Sequence, residues 1–335
     1  MIGDLLSDYD FALPPELIAQ TPLEDRAASR LLVLHRGSGR IEHRAFRDAP
    51  EYLAPGDVLV MNDTKVDARR IRGVRPTGGV VEALLVESIA PGVYDALVKP
   101  AKRLRPGSTF LAEDRFSVMV TEGASEPYRR LVFQDAPDLS GVGEVPLPPY
   151  ITARLAEETR YDTVYAAHPG SAAAPTAGLH FTREILGELG QKGVKEARVT
   201  LHVGIDTFRP VDAERLDDHR MHGELCQISE LAARAINARS RRLVAVGTTS
   251  VRTIESFADE RGEVRSDRHR SSLFIRPGYE FRAVDAMFTN FHLPKTTMLA
   301  MISALAGIEA VREAYRQAIA ERYQFLSFGD SMLII

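Results

Sequence analysis

Leu243-Val244-Ala245-Val246-Gly247-Thr248-Thr249-Ser250-Val251-Arg252-Thr253 is the stretch from which the fold is read. Four apolar residues stopped by a glycine predict a short buried strand. Ser250 is then placed to cap a helix that ends near Gly262. Strand, tight turn and helix in succession are the repeating unit of an α/β layer structure. The same alternation continues on both sides. Thr182 can cap a helix to about Lys192, which Gly193 ends. Residues 196–203 read as a strand, and Ser229 can cap a helix through about Ser240. Residues 307–322 form a strongly amphipathic helix, and residues 332–335 a last buried strand. Upstream, Leu31-Leu32-Val33-Leu34 and Val58-Leu59-Val60-Met61 are short apolar runs bounded by turn signals. A short helix is expected after the pair Pro14-Pro15.

Residues 62–150 have a different texture. Short β-type runs recur at 69–74, 80–86, 93–98, 108–111, 116–121 and 129–133, with no convincing helix. Gly78-Gly79, Pro91-Gly92, Pro106-Gly107 and Glu122-Gly123 separate them. Many short strands at close spacing predict a small antiparallel barrel or sandwich. Pro146-Leu147-Pro148-Pro149 is a stiff segment suited to a boundary. The expected organisation is therefore one α/β domain of residues 1–61 plus 151–335, with residues 62–150 inserted into it.

Composition narrows the function classes. The chain has 335 residues, 44% of them hydrophobic and 26% charged, which suits a globular protein with a sizeable core. Net charge is −4, so nucleic-acid contact would need a local basic patch. A single cysteine, Cys226, rules out an internal disulfide and fits a reducing compartment. Residues 1–20 do not read as a signal peptide, and no apolar run nears the roughly 20 residues that span a bilayer. A cytoplasmic location is the expectation.

Six polar clusters follow apolar runs in the last region. They contain Gly170, Ser171, Thr176 and His180; His202 and Gly204; His219, His222 and Glu224; Thr248, Thr249, Ser250 and Arg252; Asn290 and His292; and Asp330. Ligands of open α/β sheets bind beyond the carboxyl ends of strands, where such loops collect. Each cluster also has a bland reading as a turn followed by a helix cap. The segment 170–182 is small enough for close backbone approach but lacks the Gly-Lys-Ser/Thr ending of a nucleotide-triphosphate loop. A helix N-terminus at residues 247–253 can hold a carboxylate, with Arg252 to pair with it. A lone histidine among apolar residues is more often a satisfied core group than a catalyst. Three of them, His180, His202 and His292, in comparable loops point towards proton transfer. His219, His222 and Glu224 could hold a divalent metal, yet the spacing is not His-Glu-x-x-His, and no metal is expected. No Gly-x-Ser-x-Gly occurs, which disfavours a nucleophile-elbow hydrolase.

Basic residues cluster in the inserted region: Arg69, Arg70, Arg72 and Arg75 on one strand, and Lys99, Lys102, Arg103 and Arg105 at a strand end. They read either as a solvated edge that blocks strand pairing or as phosphate contacts.

The long motifs carry a resemblance. Asp10-Phe11-Ala12-Leu13-Pro14, Leu17-Ile18-Ala19-Gln20, Ser29-Arg30-Leu31-Leu32-Val33-Leu34, Asn62-Asp63-Thr64, Leu147-Pro148-Pro149-Tyr150-Ile151 and the six clusters occur in an order that resembles the S-adenosylmethionine:tRNA ribosyltransferase-isomerase family of queuosine biosynthesis. One departure is Gly204-Ile205-Asp206-Thr207-Phe208, where the family usually reads Gly-x-Gly-Thr-Phe. The resemblance implies a large mixed-sheet α/β domain with an inserted small antiparallel β-barrel. It implies transfer and isomerisation of the ribosyl part of S-adenosylmethionine onto 7-aminomethyl-7-deazaguanine at the tRNA wobble position, giving epoxyqueuosine-tRNA, adenine and methionine. S-adenosylmethionine is then consumed as a substrate, with no metal or other cofactor, and the protein is a monomer. In that chemistry His180, His202, His292 and Asp330 are expected to move protons. Arg252 with Thr248, Thr249 and Ser250 would hold the methionine end, and Gly170, Ser171, Thr176 and Asn290 would line the substrate. The two basic clusters would grip tRNA.

Overall fold

The computed structural model describes residues 3–139, 141–204, 213–221 and 223–335. The chain divides into two compact units. One comprises Met1–Thr64, Pro149–His168 and Ala174–Ile335; the other comprises Lys65–Pro148 and Pro169–Ala173.

A nine-stranded mixed sheet organises the first unit. Its spatial order is Asp267–Ser271, Glu224–Ile228, Lys195–Leu201, Val58–Asn62, Leu243–Val246, Ala286–Asn290, Ser331–Ile334, Arg30–His35 and Arg40–Ala45. The four strands from Lys195–Leu201 to Ala286–Asn290 are mutually parallel, and Ser331–Ile334 is parallel to Arg30–His35. The other neighbours pair antiparallel. Val58–Asn62 is buried at every residue, as expected of a central parallel strand.

Period-two alternation builds the core. Leu31, Val33, Leu59, Met61, Val244, Val246, Phe288 and Leu333 come from five neighbouring strands and belong to one cluster. Phe46, Phe181 and Phe288 close it edge to face, with ring centroids 4.9–5.8 Å apart. Burying each such side chain stabilises the fold by about 1.5–3 kcal/mol.

Helix Arg183–Gln191 starts where Thr182 accepts a hydrogen bond from the Ile185 amide, and Glu230–Asn237 starts likewise at Ser229. Ile308–Ala320 follows Gly307, whose φ of 88° suits glycine. Other elements differ from expectation. The segment after Pro14 forms only the 3-10 turn Pro15–Leu17. Helix Thr297–Ala306 is buried nearly all round, so its apolar residues form no stripe for sequence periodicity to detect. Edge strand Asp267–Ser271 is too polar to read as a strand.

The second unit contains a closed antiparallel barrel in the order Arg129–Phe133, Val93–Lys99, Val80–Ala90, Arg69–Val74, Thr109–Ala112 and Phe116–Thr121. Alternate residues fill it, among them Ile71, Val81, Ala83, Ala96, Val98, Phe110, Val118 and Leu131. A Cβ at Gly73 would lie 2.5 Å from the Leu111 carbonyl oxygen, so close approach of that neighbouring strand requires glycine.

Candidate active site

The sheet register brings several polar loops of the first unit to one edge. Leu201 pairs with Cys226, Asn62 with Val199, Val246 with Phe288, Asn290 with Ser331, and Leu31 with Ser331. His202, Asn62, Gly247, Asn290, Asp330 and Ser29 therefore follow one another along that edge. Four of these positions, His202, Asn62, Gly247 and Asn290, end or follow strands of the parallel block, the usual ligand position in an open α/β sheet.

Asn62 ties three of these loops together. Its Oδ1 accepts from the amides of Leu201, at 3.0 Å, and Thr64, at 3.2 Å. Its Nδ2 donates to the Leu201 carbonyl at 3.0 Å and to Thr249 Oγ1 at 3.2 Å. The site residues named from sequence left Asn62 and Thr64 out. The polar triplet Asn62-Asp63-Thr64 at the end of an otherwise apolar strand was the available signal.

His202 has one ring nitrogen engaged. Thr64 Oγ1 shares a hydrogen bond with His202 Nδ1 at 2.8 Å and lies 3.4 Å from the His168 carbonyl. Nε2 has no recorded partner among the described residues. The ring is half-buried. Burial and the nearby Arg268 lower its pKa from the ordinary histidine value, so the imidazole is neutral at neutral pH.

His180 has both nitrogens engaged. Asn290 Nδ2 donates to Nε2 at 3.1 Å, which leaves Nδ1–H to donate to Ser29 Oγ at 2.8 Å. Ser29 donates onward to the Arg26 carbonyl at 3.2 Å. Thr176 Oγ1 donates to Asn290 Oδ1 at 3.0 Å. The imidazole lies over Phe46 at 5.1 Å, and burial lowers its pKa to about 4. His292 is similar. Its Nε2 shares a hydrogen bond with Thr289 Oγ1 at 2.8 Å, its amide donates to Tyr315 Oη at 2.9 Å, and burial lowers its pKa to about 4. Both rings are neutral parts of a packed frame.

Asp330 serves the same frame. Oδ1 accepts from the Arg30 amide and Oδ2 from the Gln324 amide, each at 2.7 Å. Burial raises its pKa above the usual carboxylate value. The loop it pins contains Leu326 at φ 72°, a conformation that costs a non-glycine residue energy. The Leu326 carbonyl accepts the second Asn290 Nδ2–H, at 3.2 Å.

The helix Thr248–Phe257 starts two residues before the expected cap. Gly247, at φ 86°, is its N-cap, and no side chain caps it. Ser250 lies in the first turn, fully buried, and its hydroxyl donates to the Val246 carbonyl at 2.7 Å. That bond takes Ser250 out of the expected capping role. Arg252 is paired with Glu224, whose Oε1 accepts the Gly204 amide at 3.1 Å. Arg252 Nε is buried and has no hydrogen-bond partner among the described residues.

Gly170 and Ser171 belong to the second unit. Gly170 is exposed at φ 135°, and the Ser171 hydroxyl donates to the Ala173 carbonyl at 2.7 Å. In the barrel, alternation separates the arginines of one strand. Arg70 and Arg72 point opposite to Ile71, which fills the interior, and lie near Glu82 and Glu144 respectively. Arg69 shares the other face, and Arg75 begins the turn closed by its bond with Gly79. Lys99, Lys102, Arg103 and Arg105 are all exposed, and no ion pair is recorded for them among the described residues.

Among the described residues, no group of three His, Cys, Asp or Glu could hold a metal. Glu224 is committed to Arg252, and the His219 ring packs edge-on against Phe274 at 5.5 Å. His222 and residues 205–212, which include Asp206, lie outside the described residues. Among the described residues, no helix is long and apolar enough to cross a membrane.

The family model described as "Queuosine biosynthesis protein" matches residues 6–334. A protein from Symbiobacterium thermophilum named S-adenosylmethionine:tRNA ribosyltransferase-isomerase is 52% identical, over 98% of this chain and 99% of its own. One of the same name from Clostridioides difficile is 47% identical, over 98% of each chain. The crystal structure of S-adenosylmethionine tRNA ribosyltransferase from Thermotoga maritima is 39% identical and aligns with a TM-score of 0.58, covering 98% of this chain and all of that one. With matches this complete, the chain belongs to the queuosine biosynthesis family of S-adenosylmethionine:tRNA ribosyltransferase-isomerases.

Proposed function

We propose that this chain transfers and isomerises the ribosyl part of S-adenosylmethionine onto 7-aminomethyl-7-deazaguanine at the tRNA wobble position, releasing adenine and methionine. Family membership supports the reaction. The observation that supports a site for it in this chain is the junction of His202, Asn62 and Thr249 beyond the ends of three parallel strands.

The chemistry sets the roles. A sulfonium acidifies the adjacent ribose C5′–H, so a base must take that proton. Adenine leaves best when it gains one, and the attacking amine must be neutral. His202 is the residue we assign to proton transfer. Its ring is neutral and partly accessible, and Thr64 orients it through Nδ1. His180 and Asp330, first expected to move protons, are assigned to positioning, because their hydrogen-bonding atoms serve the frame, and so is His292, whose buried ring is held by Thr289. Through Asn290, His180 orients Thr176 towards the substrate. The methionine carboxylate is assigned to the first-turn amides of the helix Thr248–Phe257 with Thr249 Oγ1, since that end has no capping side chain. Arg252 reaches the carboxylate only by leaving Glu224.

For tRNA, Lys99, Lys102, Arg103 and Arg105 are assigned to stem phosphates, with Arg69, Arg70, Arg72 and Arg75 in support. We further propose that the protein works as a cytoplasmic monomer without metal or other cofactor.

The test supplies S-adenosylmethionine and precursor-bearing tRNA. Adenine and methionine should appear in equal amounts; S-adenosylhomocysteine in their place would mean methyl transfer and end this reading. His202→Ala should lower kcat by roughly 10²–10⁴-fold with an unchanged melting curve.

A further inference from the structure

A second pocket lies in the first unit, on the far side of His180 from Asn290. Its polar lining is Arg26, Ser29, Arg160, His180 and Ser327, and Phe328 forms one wall. Leu23, nearly half exposed, stands at it.

The two arginines define its chemistry. Arg26 donates to the carbonyls of Asp162, Leu179 and Thr159. Arg160 donates to the carbonyls of Leu23 and Glu24. Neither guanidinium has a carboxylate within ion-pairing distance among the described residues. Burial and the nearby Arg160 oppose the Arg26 charge, while Asp162 and Tyr165 favour it. Two cations turned into one pocket repel each other, and an anion bound there offsets the repulsion. The other polar groups are already satisfied. Ser29 and His180 bond each other at 2.8 Å, and Ser327 Oγ shares a hydrogen bond with Tyr150 Oη at 2.7 Å. The free recognition capacity is therefore that of the guanidinium pair. The loop that supplies Ser327 and Phe328 is clamped by Asp330 and holds Leu326 at positive φ. A strained loop held by such a clamp suits a preformed site.

We propose that Arg26 and Arg160 form an oxyanion subsite that takes a backbone phosphate of the RNA substrate, at a nucleotide flanking the modified one. The apolar wall of Leu23 and Phe328 then meets the adjoining sugar or base. An unpaired loop nucleotide can present its phosphate and base to separate subsites in this way. This inference rests on the functional reading above. The same pair could instead take the carboxylate of S-adenosylmethionine, so the experiment separates the two sources.

An anticodon stem-loop RNA is titrated into the wild-type protein, Arg160→Gln and Leu23→Glu, with S-adenosylmethionine titrated separately by calorimetry. Both variants should weaken RNA binding about tenfold, and Arg160→Gln should reduce the salt slope by about one. Affinity for S-adenosylmethionine should not change. A methylphosphonate scan of the loop should find one position that weakens binding to wild type and adds no further loss in Arg160→Gln. RNA affinity indifferent to both variants overturns the subsite. So does a loss of S-adenosylmethionine affinity in its place. Leu23→Glu keeps the test open if Arg160→Gln fails to fold, because Leu23 is a surface side chain. A wild-type protein that binds RNA in this Arg160-dependent way yet releases no adenine would overturn the functional reading alone.

Discussion

Asn290 donates its amide Nδ2–H to His180 Nε2 at 3.1 Å, and this bond sets which proton the buried imidazole carries. The same nitrogen reaches the Leu326 carbonyl, and Oδ1 accepts from Thr176. One side chain thus joins three loops. Asn290→Ala leaves Nε2 without a donor, at a cost of about 1–3 kcal/mol, while the Leu326 carbonyl keeps the Gly329 amide at 3.0 Å. Urea denaturation should read the loss in stability. Turnover of the folded fraction should fall as well, because Thr176 loses its anchor.

Low pH should destabilise the first unit through His180 and His292. Both rings have a folded pKa of about 4 and an unfolded value near 6.5. The unfolded chain then binds more protons, so stability is full above about pH 6.5 and declines as pH falls towards 4. Each ring should cost about 2 kcal/mol between pH 7 and pH 5. Denaturation midpoints across that range should fall less steeply in His292→Gln than in wild type. An unchanged slope would remove His292 from the account.

Gly178 lies against Tyr165. A Cβ there would be 2.0 Å from Tyr165 Oη and 2.9 Å from Thr163 Cγ2. Gly178→Ala should destabilise by about 1–3 kcal/mol through overpacking. Tyr165 Oη is buried without a hydrogen-bond partner, so Tyr165→Phe alone should leave stability unchanged or slightly raised. The double variant should recover part of the Gly178→Ala loss, measured by melting temperature. No recovery would mean that Thr163 Cγ2 or the ring carbon Cζ, each 2.9 Å from that Cβ, makes the clash and not the tyrosine hydroxyl.

The exposed cations Lys102 and Arg103 should govern tRNA affinity more than Arg70 does, whose charge is partly offset by Glu82. Reversing both to Glu should raise the KM for tRNA and flatten its salt dependence by about one unit per lost phosphate contact. The KM for S-adenosylmethionine should stay the same. Equal effects from Arg70→Glu would redirect the grip to the other strand.

The sequence alone determined the alternation of strands and helices, the barrel strands and the caps at Thr182 and Ser229. These follow from local causes: side-chain period, turn residues and the first orphan amides of a helix. Long ordered motifs also carried the family. Helix Thr297–Ala306 stayed hidden because it is buried all round, and Asp267–Ser271 because an edge strand need not alternate apolar and polar residues. Only the tertiary structure decided which polar residues are free to act. His180, His202 and His292 look alike in sequence, yet partners more than 100 residues away saturate His180, while one nitrogen of His202 has no recorded partner among the described residues. Asp330 reads as an acid in a loop, and the fold spends both its oxygens on backbone amides. A hydrogen bond is satisfied by whatever the fold brings within about 3 Å, and residue type and spacing do not carry that information across the chain.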